Sequence, residues 1–424
     1  MRVLIEPSSA LPLCSVQLVL EGGAAHDPAD KLGLGQVAAE LMRRGAGGRT
    51  RAELDAAFDA LGASFEIDVD HDHVSMGGMV LEQHLGAYLA LLGDVLAAPA
   101  LDPRELRELL REARGALDEL RDDDRALVRR FHDRALWGDH PYGRPAGGTR
   151  TSLGALTLAD VQGWVKRWVV ADNLVVGFAG AVGKRAERLA EPLLARLPTR
   201  AAPRARLARP AGMAGATHGR RRLVLVDKPA RTQSQILMGH PGPLWKTPDF
   251  LPLEVAMTAF GGTFTARLMT EVRVKRGWSY GARAYLSRGR AGAFSMHVFP
   301  SAEQTPDTIA LVHRMFAELC DGGLSDDEVA FAQRYLERGF AFEIDTPERR
   351  LHVRLSTLLA GLPDDYIQTY RKRVRAVRPA DIRRAMKRHL DPGQLLTTLV
   401  ATRTIAKRLP KTAGKIEIQR FDSY

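Results

Sequence analysis

Cysteine is almost missing from this chain. Cys14 and Cys320 are the two thiols in 424 residues, too few for a disulfide framework, and no Cys-x-x-Cys pair marks a thiolate metal site. Long hydrophobic runs are also missing. No stretch approaches the roughly 18 apolar residues of a bilayer span, and Met1-Arg2-Val3-Leu4-Ile5-Glu6-Pro7 meets an acid and a proline before a signal-peptide core could develop. The expectation is a soluble, cytoplasmic protein, with the periplasm left open. Gly-x-Ser-x-Gly does not occur, neither cysteine has the surroundings of a nucleophile, and the glycine-rich Gly45-Ala46-Gly47-Gly48 lacks both a preceding strand and the Lys-Ser/Thr ending of a phosphate loop.

What is present suits a folded protein of more than one domain. The chain is 45% hydrophobic and 26% charged, enough apolar material to offset chain entropy, and its length exceeds what one core organises. Lys and Arg outnumber Asp and Glu by 61 to 50, a net charge of +11. Most of these cations stand beside acids, as in Arg104-Glu105-Leu106-Arg107-Glu108, which reads as a solvated helix face. The dense runs Arg220-Arg221-Arg222 and Arg371-Lys372-Arg373 lack interleaved aromatics, so a nucleic-acid surface is disfavoured.

The two halves echo one another. Ala159-Asp160-Val161, Lys166-Arg167 and Leu174 recur in the same order and spacing as Ala380-Asp381-Ile382, Lys387-Arg388 and Leu395. Each copy reads as a helix running into an apolar strand. Upstream, Leu101-Asp102-Pro103-Arg104-Glu105 and Leu324-Ser325-Asp326-Asp327-Glu328 each open a long amphipathic helix behind a capping residue, Asp102 or Ser325. Two tandem α+β domains of one design follow, expected at 1–200 and 222–424 with a Pro-, Gly- and Ala-rich linker at 201–221. Cys14–Leu20 and Leu223–Val226 are the first firm strand signals of the two halves.

Leu32-Gly33-Leu34-Gly35-Gln36-Val37-Ala38-Ala39-Glu40-Leu41-Met42, followed by Leu61-Gly62-Ala63-Ser64-Phe65, resembles the helix that carries His-x-x-Glu-His in the pitrilysin and insulinase family of zinc peptidases. Gln36 stands for the first His, Ala39 for the Glu and Glu40 for the second His. An amide and a carboxylate do not replace two imidazoles, and Ala39 accepts no proton. Trp137-Gly138-Asp139-His140-Pro141-Tyr142-Gly143-Arg144-Pro145, Gly148-Thr149 and Asp172-Asn173-Leu174 are similar to further landmarks of the family. Glu112 and Glu119 match the helix in which the second of the pair is the family's third zinc ligand. For Glu119, a relic candidate, a solvated or intrahelical salt-bridging residue among Arg111, Arg114 and Arg121 is the plainer reading. His71 and His73 alternate on one expected strand face; a structural, hydrogen-bonded role is favoured and no metal is assigned to them.

Gly261-Gly262-Thr263-Phe264-Thr265-Ala266-Arg267-Leu268-Met269, continuing through Arg273 to Gly277-Trp278-Ser279-Tyr280, resembles the second-domain segment whose Arg and Tyr reach the zinc site of the other half and bind the substrate carbonyl. Fixed N–H donors and a phenol O–H can together stabilise an oxyanion. As fold residues, Arg273 would be a surface helix position and Tyr280 a strand start. The resemblance implies the processing-peptidase (LuxS/metallohydrolase-like) fold, two domains forming half of a clam-shell chamber. It further implies a non-catalytic subunit of a heterodimeric zinc peptidase: Arg273 and Tyr280 act in trans, this chain holds no metal or other cofactor, and zinc resides in a catalytic partner subunit of the same family. The competing reading is a catalytically dead chamber or scaffold protein that binds peptides or partners.

Overall fold

The computed structural model describes residues 2–183, 186–199 and 221–423; the expected linker therefore lies outside the described residues except for Arg221. Eleven described strands are β1 (Arg2–Pro7), β2 (Leu13–Glu21), β3 (Glu66–Val69), β4 (His73–Leu81), β5 (Leu174–Gly180), β6 (Arg222–Asp227), β7 (Gln235–Pro241), β8 (Ser279–Leu286), β9 (Ala293–Pro300), β10 (Leu396–Ala401) and β11 (Lys415–Arg420). In the first repeat the helices are α1 (Leu34–Met42), α2 (Arg51–Ala60), α3 (Leu85–Ala97), α4 (Pro103–Glu119), α5 (Asp124–Trp137), α6 (Arg150–Ala155), α7 (Leu158–Trp168) and α8 (Ala186–Ala195). The second has α9 (Phe250–Met257), the single turn α10 (Arg267–Met269), α11 (Thr305–Gly322), α12 (Asp326–Glu343), α13 (Pro347–Leu359), α14 (Tyr366–Arg375) and α15 (Pro379–His389). No helix among the described residues is long and apolar enough to cross a membrane.

Sheet topology makes the duplication explicit. One sheet has the order β1-β5-β2-β4-β3 and the other β11-β6-β10-β7-β9-β8, the same order five strands later with β11 added at one edge. Directions match as well: β1 is parallel to β5 as β6 is to β10, and the remaining shared pairs are antiparallel. The sheets are thus mixed and flanked by helices, as an α+β reading requires. The strand starts need correcting. Cys14–Leu20 lies in β2 and is matched by β7, whereas Leu223–Val226 lies in β6 and is matched by β1. β1 has a weak signal because Arg2, Glu6 and Pro7 bracket only three apolar residues, and it lies half-buried at an edge.

The compact units are not the contiguous halves expected from the sequence. One holds the described residues up to Asp118, those from Arg144 to 199, and Glu343–Leu359; the other holds Glu119–Gly143, 221 to Phe342, and the described residues from Ala360 on. Two helices account for the exchange. Leu127, Val128 and Phe131 of α5, from the first repeat, bury against Val224, Val226, Leu237, Leu396 and Val400 of the second sheet. Leu351 and Leu355 of α13, from the second repeat, bury against Val19 and Ala179 of the first. Each such side chain contributes roughly 1.5–3 kcal/mol, so the apolar stripe on each helix, rather than its place in sequence, decides which sheet it covers. Ion pairs fix the register. Asp124 Oδ1 of α5 accepts from Lys228 Nζ at 2.6 Å, and Glu6 accepts from Arg350 Nε at 3.1 Å and Arg354 Nη1 at 2.7 Å on α13.

Two buried histidines flank β10. His132 Nδ1 of α5 lies 3.1 Å from Thr398 Oγ1, and His313 Nε2 of α11 lies 2.9 Å from Thr397 Oγ1; successive strand residues face opposite sides, so one ring sits on each face. Burial, with Arg129 adding, pushes His132 down to about 3; burial, with Arg221 adding, pushes His313 down to about 4. Below about pH 6.5 the unfolded chain takes up protons that the folded chain refuses, so stability is full above that value and falls as pH falls. Urea denaturation near pH 7 and near pH 5 should therefore show a loss on acidification that is smaller in a His132→Gln variant. An equal loss in variant and wild type would contradict this assignment.

Candidate functional site

α1 is a well-made helix without the expected chemistry. Leu34, Val37, Ala38, Leu41 and Met42 recur at helical spacing and are buried, against α7 and β3. Its N-terminus is held by Asp27, whose Oδ2 accepts from Gly33 N–H and Oδ1 from Gly35 N–H, both at 2.9 Å. Burial pushes the Asp27 carboxyl up to about 7 against the pull of the Gly35, Gly33 and Leu34 N–H groups. The preceding turn is pinned by Ser152 Oγ, which donates to Leu32 O at 2.8 Å. Asn173 Nδ2 donates to Glu21 O at 2.9 Å and to Trp168 O at 2.7 Å. The Gly148-Thr149 and Asp172-Asn173 landmarks thus hold the scaffold around α1. On the helix itself, Gln36 Nε2 donates to Glu40 Oε1 at 3.3 Å and Ala39 is completely buried.

The carboxylates of α4 have different surroundings. Glu112 is the structural member: it is paired with the buried Arg44, which holds its carboxyl below the ordinary range. Glu119 stands exposed at the end of α4 and forms no ion pair among the described residues, which leaves the solvated alternative of its plainer reading; Arg111 is paired with Glu108, one turn before it. His71 and His73 do not share a strand face. His71 lies in the turn before β4 and its Nε2 is 3.0 Å from Arg144 O. Asp70, Asp72 and His73 bring ligand atoms together, but Asp70 Oδ1 already accepts the N–H groups of Asp72 and His73 at 2.6 and 2.7 Å, closing a turn.

Arg273 and Tyr280 do come together. Arg273 lies in a π-helical segment, Thr270–Val274, after α10, a local form that recurs at functional sites. Gly277, at φ +64°, ends this segment in the left-handed conformation, with its N–H bonded to Arg273 O at 3.0 Å, and turns the chain into β8. Tyr280 then falls in an irregularity of the β8–β9 ladder between Ser279 and Ala282; Ser279 Oγ bridges it, donating to Gly281 O at 2.6 Å and accepting from Phe299 N–H at 3.0 Å. A bulge of this kind re-aims a side chain. The result is a guanidinium 4.8 Å from the centre of the Tyr280 ring and 5.7 Å from that of Phe264. Tyr280 is 78% exposed and Phe264 69%. Among the described residues neither the Arg273 guanidinium nor the Tyr280 hydroxyl has a hydrogen-bond partner.

The flanking residues serve the fold. Arg267 grips Glu328, which also closes a capping box with Ser325 at the start of α12. Gly261 brings the chain against β8, where a Cβ would sit 2.6 Å from Ala284 N. Arg276 is paired with Glu271 at 2.5 Å and stacked on Trp278. Phe264, the second ring over Arg273, carries no role in the sequence reading; its available signal was an aromatic in the loop two residues after Gly261-Gly262.

Comparison with known proteins follows the same lines. A family model described as insulinase (peptidase family M16) matches residues 2–150, and one described as the peptidase M16 inactive domain matches residues 155–336. The chain belongs to peptidase family M16. It is 27% identical to an uncharacterized zinc protease of Mycobacterium tuberculosis over 359 residues, 83% of this chain and 80% of the relative. To a non-peptidase homolog of Helicobacter pylori it is 20% identical over 405 residues, 95% of this chain and 92% of the relative. The crystal structure of a peptidase M16 inactive domain from Pseudomonas fluorescens superposes with a TM-score of 0.87 at 22% identity, covering 94% of this chain and 95% of the other, and so shares the fold.

For an M16 chain the donors on α1 are wrong for zinc. A site of this type needs three protein ligands with imidazole or carboxylate donors, and this helix offers an amide already bonded to Glu40, a buried methyl and one carboxylate. Elemental analysis of the purified chain, after dialysis against a weak chelator, should therefore find zinc well below one per chain. One retained zinc per chain would require another ligand set, with Asp70, Asp72 and His73 the first to test.

Proposed function

We propose that this chain is the non-catalytic subunit of a two-chain zinc peptidase, presenting Arg273 and Tyr280 to a substrate peptide bound at a partner's catalytic centre. The carrying observation is the pair itself: a guanidinium stacked on a largely exposed phenol, with donors that no described residue uses. A side chain retained for stability would bury apolar surface or close an ion pair, as Arg267 and Arg276 do. Arg273 and Tyr280 instead leave N–H and O–H donors facing outward.

In this reading both donors bond the carbonyl oxygen of the scissile peptide and strengthen as negative charge develops on it. Arg273 supplies charge and a fixed donor geometry; Tyr280 supplies one O–H and, through its ring, holds the guanidinium in place. The partner, a family member with intact His-x-x-Glu-His, would supply the zinc and the general base. Both sheets end in an outer strand, β3 and β8, and a peptide added to such an edge is bound by its backbone with little demand on its side chains. The name of the Helicobacter relative, a non-peptidase homolog, supports a role without independent hydrolysis.

The pair makes a sharp prediction. In the heterodimer Tyr280→Phe removes one donor and keeps the ring, so turnover should fall about 10²-fold with assembly unchanged. Arg273→Ala should lose at least as much and also raise KM, while Arg276→Ala should be nearly silent. Unchanged turnover in Tyr280→Phe, or equal damage in Arg276→Ala and Arg273→Ala, would favour a chamber or scaffold protein whose segment serves the fold.

A further inference from the structure

A second group of cations without ion pairs lies beside the same edge strand. Arg125 and Arg129 stand one turn apart on α5, and Arg129 Nη2 donates to Tyr285 OH of β8 at 3.2 Å, which fixes the helix beside that strand. Arg283 of β8 is directly opposite His297 of β9 in the antiparallel register, and His297 Nε2 lies 3.0 Å from Gln235 Oε1 of β7. All three arginines are exposed, and none has an ion pair among the described residues. Asp133, one turn beyond Arg129, also acts on it. At the other end of α5 the opposite holds: Lys228 and Arg231 are both neutralised by Asp124, at 2.6 and 3.5 Å.

The three charges converge. His297 is pushed down to about 4, first by burial and then by Arg125, Arg129 and Arg283, so the ring stays neutral and the cluster gains no fourth cation at physiological pH. Clustered like charges that outnumber their counter-ions oppose folding, and nothing in the packing of α5 requires them, since its apolar stripe is Leu127, Val128 and Phe131.

We propose that α5 and the β8–β9 edge form a binding surface for an acidic peptide segment, its carboxylates held by Arg125, Arg129 and Arg283. Peptide rather than nucleic acid is favoured by the strand that carries Arg283. β8 is the outer strand of its sheet, so an extended segment can add to it through backbone hydrogen bonds. Side chains of that segment alternate between faces about 6.6–6.8 Å apart, close to the rise of about 6 Å between Arg125 and Arg129 on their helix. Carboxylates at alternate positions would then meet successive guanidinium groups, each able to bind two oxygens at once. The binding belongs to this chain alone and does not depend on a catalytic partner or on Arg273 and Tyr280.

Calorimetric titration of the purified chain with the decapeptide (Glu-Ala)5, and with its neutral counterpart (Gln-Ala)5, tests it. Wild type should bind the Glu peptide, more weakly as salt rises, and show no measurable binding of the Gln peptide. The Arg125→Gln/Arg283→Gln variant should lose about tenfold or more in affinity. Arg283→Gln alone, one exposed strand residue, should lose less in the same direction. Arg111→Gln/Arg349→Gln removes equal charge from ion-paired arginines elsewhere and should bind almost as wild type does. The proposal is overturned by wild type that fails to bind the Glu peptide or binds the Gln peptide equally well, or by full affinity in the Arg125/Arg283 variant. Equal loss in the Arg111/Arg349 control, or tighter binding of a single-stranded oligonucleotide than of the Glu peptide, also overturns it.

Discussion

Each sheet of this duplicated chain has one face closed by a helix from the other repeat, and much else depends on that exchange. Without α5, the apolar face of β6, β7 and β10 would lie bare; without α13, Val19 and Ala179 would lose their cover. Neither repeat is therefore a self-sufficient domain, whatever its strand order. The exchange also sets chemistry. Arg125 and Arg129 belong to the first repeat yet stand beside β8 of the second because α5 is seated there by Leu127, Val128 and Phe131. The edge strand that they flank is the one whose bulge turns out Tyr280.

The two candidate sites have parted company in a physically consistent way. Around α1 the supports are complete: Asp27 on the helix N-terminus, Ser152 on the preceding turn and Asn173 bridging Glu21 and Trp168. On the helix itself, Gln36, Ala39 and Glu40 offer an amide bonded to a carboxylate and a buried methyl, a poor set for binding metal or moving protons. Supports are worth keeping for the fold, since a buried polar group left without its partner costs about 1–3 kcal/mol. The Arg273–Tyr280 pair is the reverse case. Its supports are intact and so are its donors, although exposed donors contribute little to stability. Cation–π contacts to Tyr280 and Phe264 are worth about 0.5–1 kcal/mol at such exposure, too little to explain the arrangement by folding alone.

Much of this was legible in the sequence for identifiable reasons. The helix-to-strand repeats at Ala159–Leu174 and Ala380–Leu395 became α7–β5 and α15–β10, and Asp102 and Ser325 cap α4 and α12, because capping and periodicity are local signals. The spacing of Arg273 and Tyr280 was legible too, with Gly277 between them supplying the turn. The helix exchange was not, since an amphipathic stripe states that a face is buried and not which sheet buries it. β1 was hidden by its charged ends. The partition between Glu112 and Glu119 depended on Arg44, distant in sequence, and the convergence of Arg125, Arg129 and Arg283 required both the exchange and the β8–β9 register. Among 61 cations, composition alone did not single out three without partners.

Direct reconstitution tests whether this chain contributes to hydrolysis only in the company of a zinc-bearing family member. A fixed amount of a partner with intact His-x-x-Glu-His would be titrated with this chain while cleavage of a peptide library is followed. No cleavage is expected from this chain alone, and with the partner a rate that rises and saturates at one chain per partner. Chelator-sensitive cleavage by the single chain, or a partner rate indifferent to its addition, would contradict it.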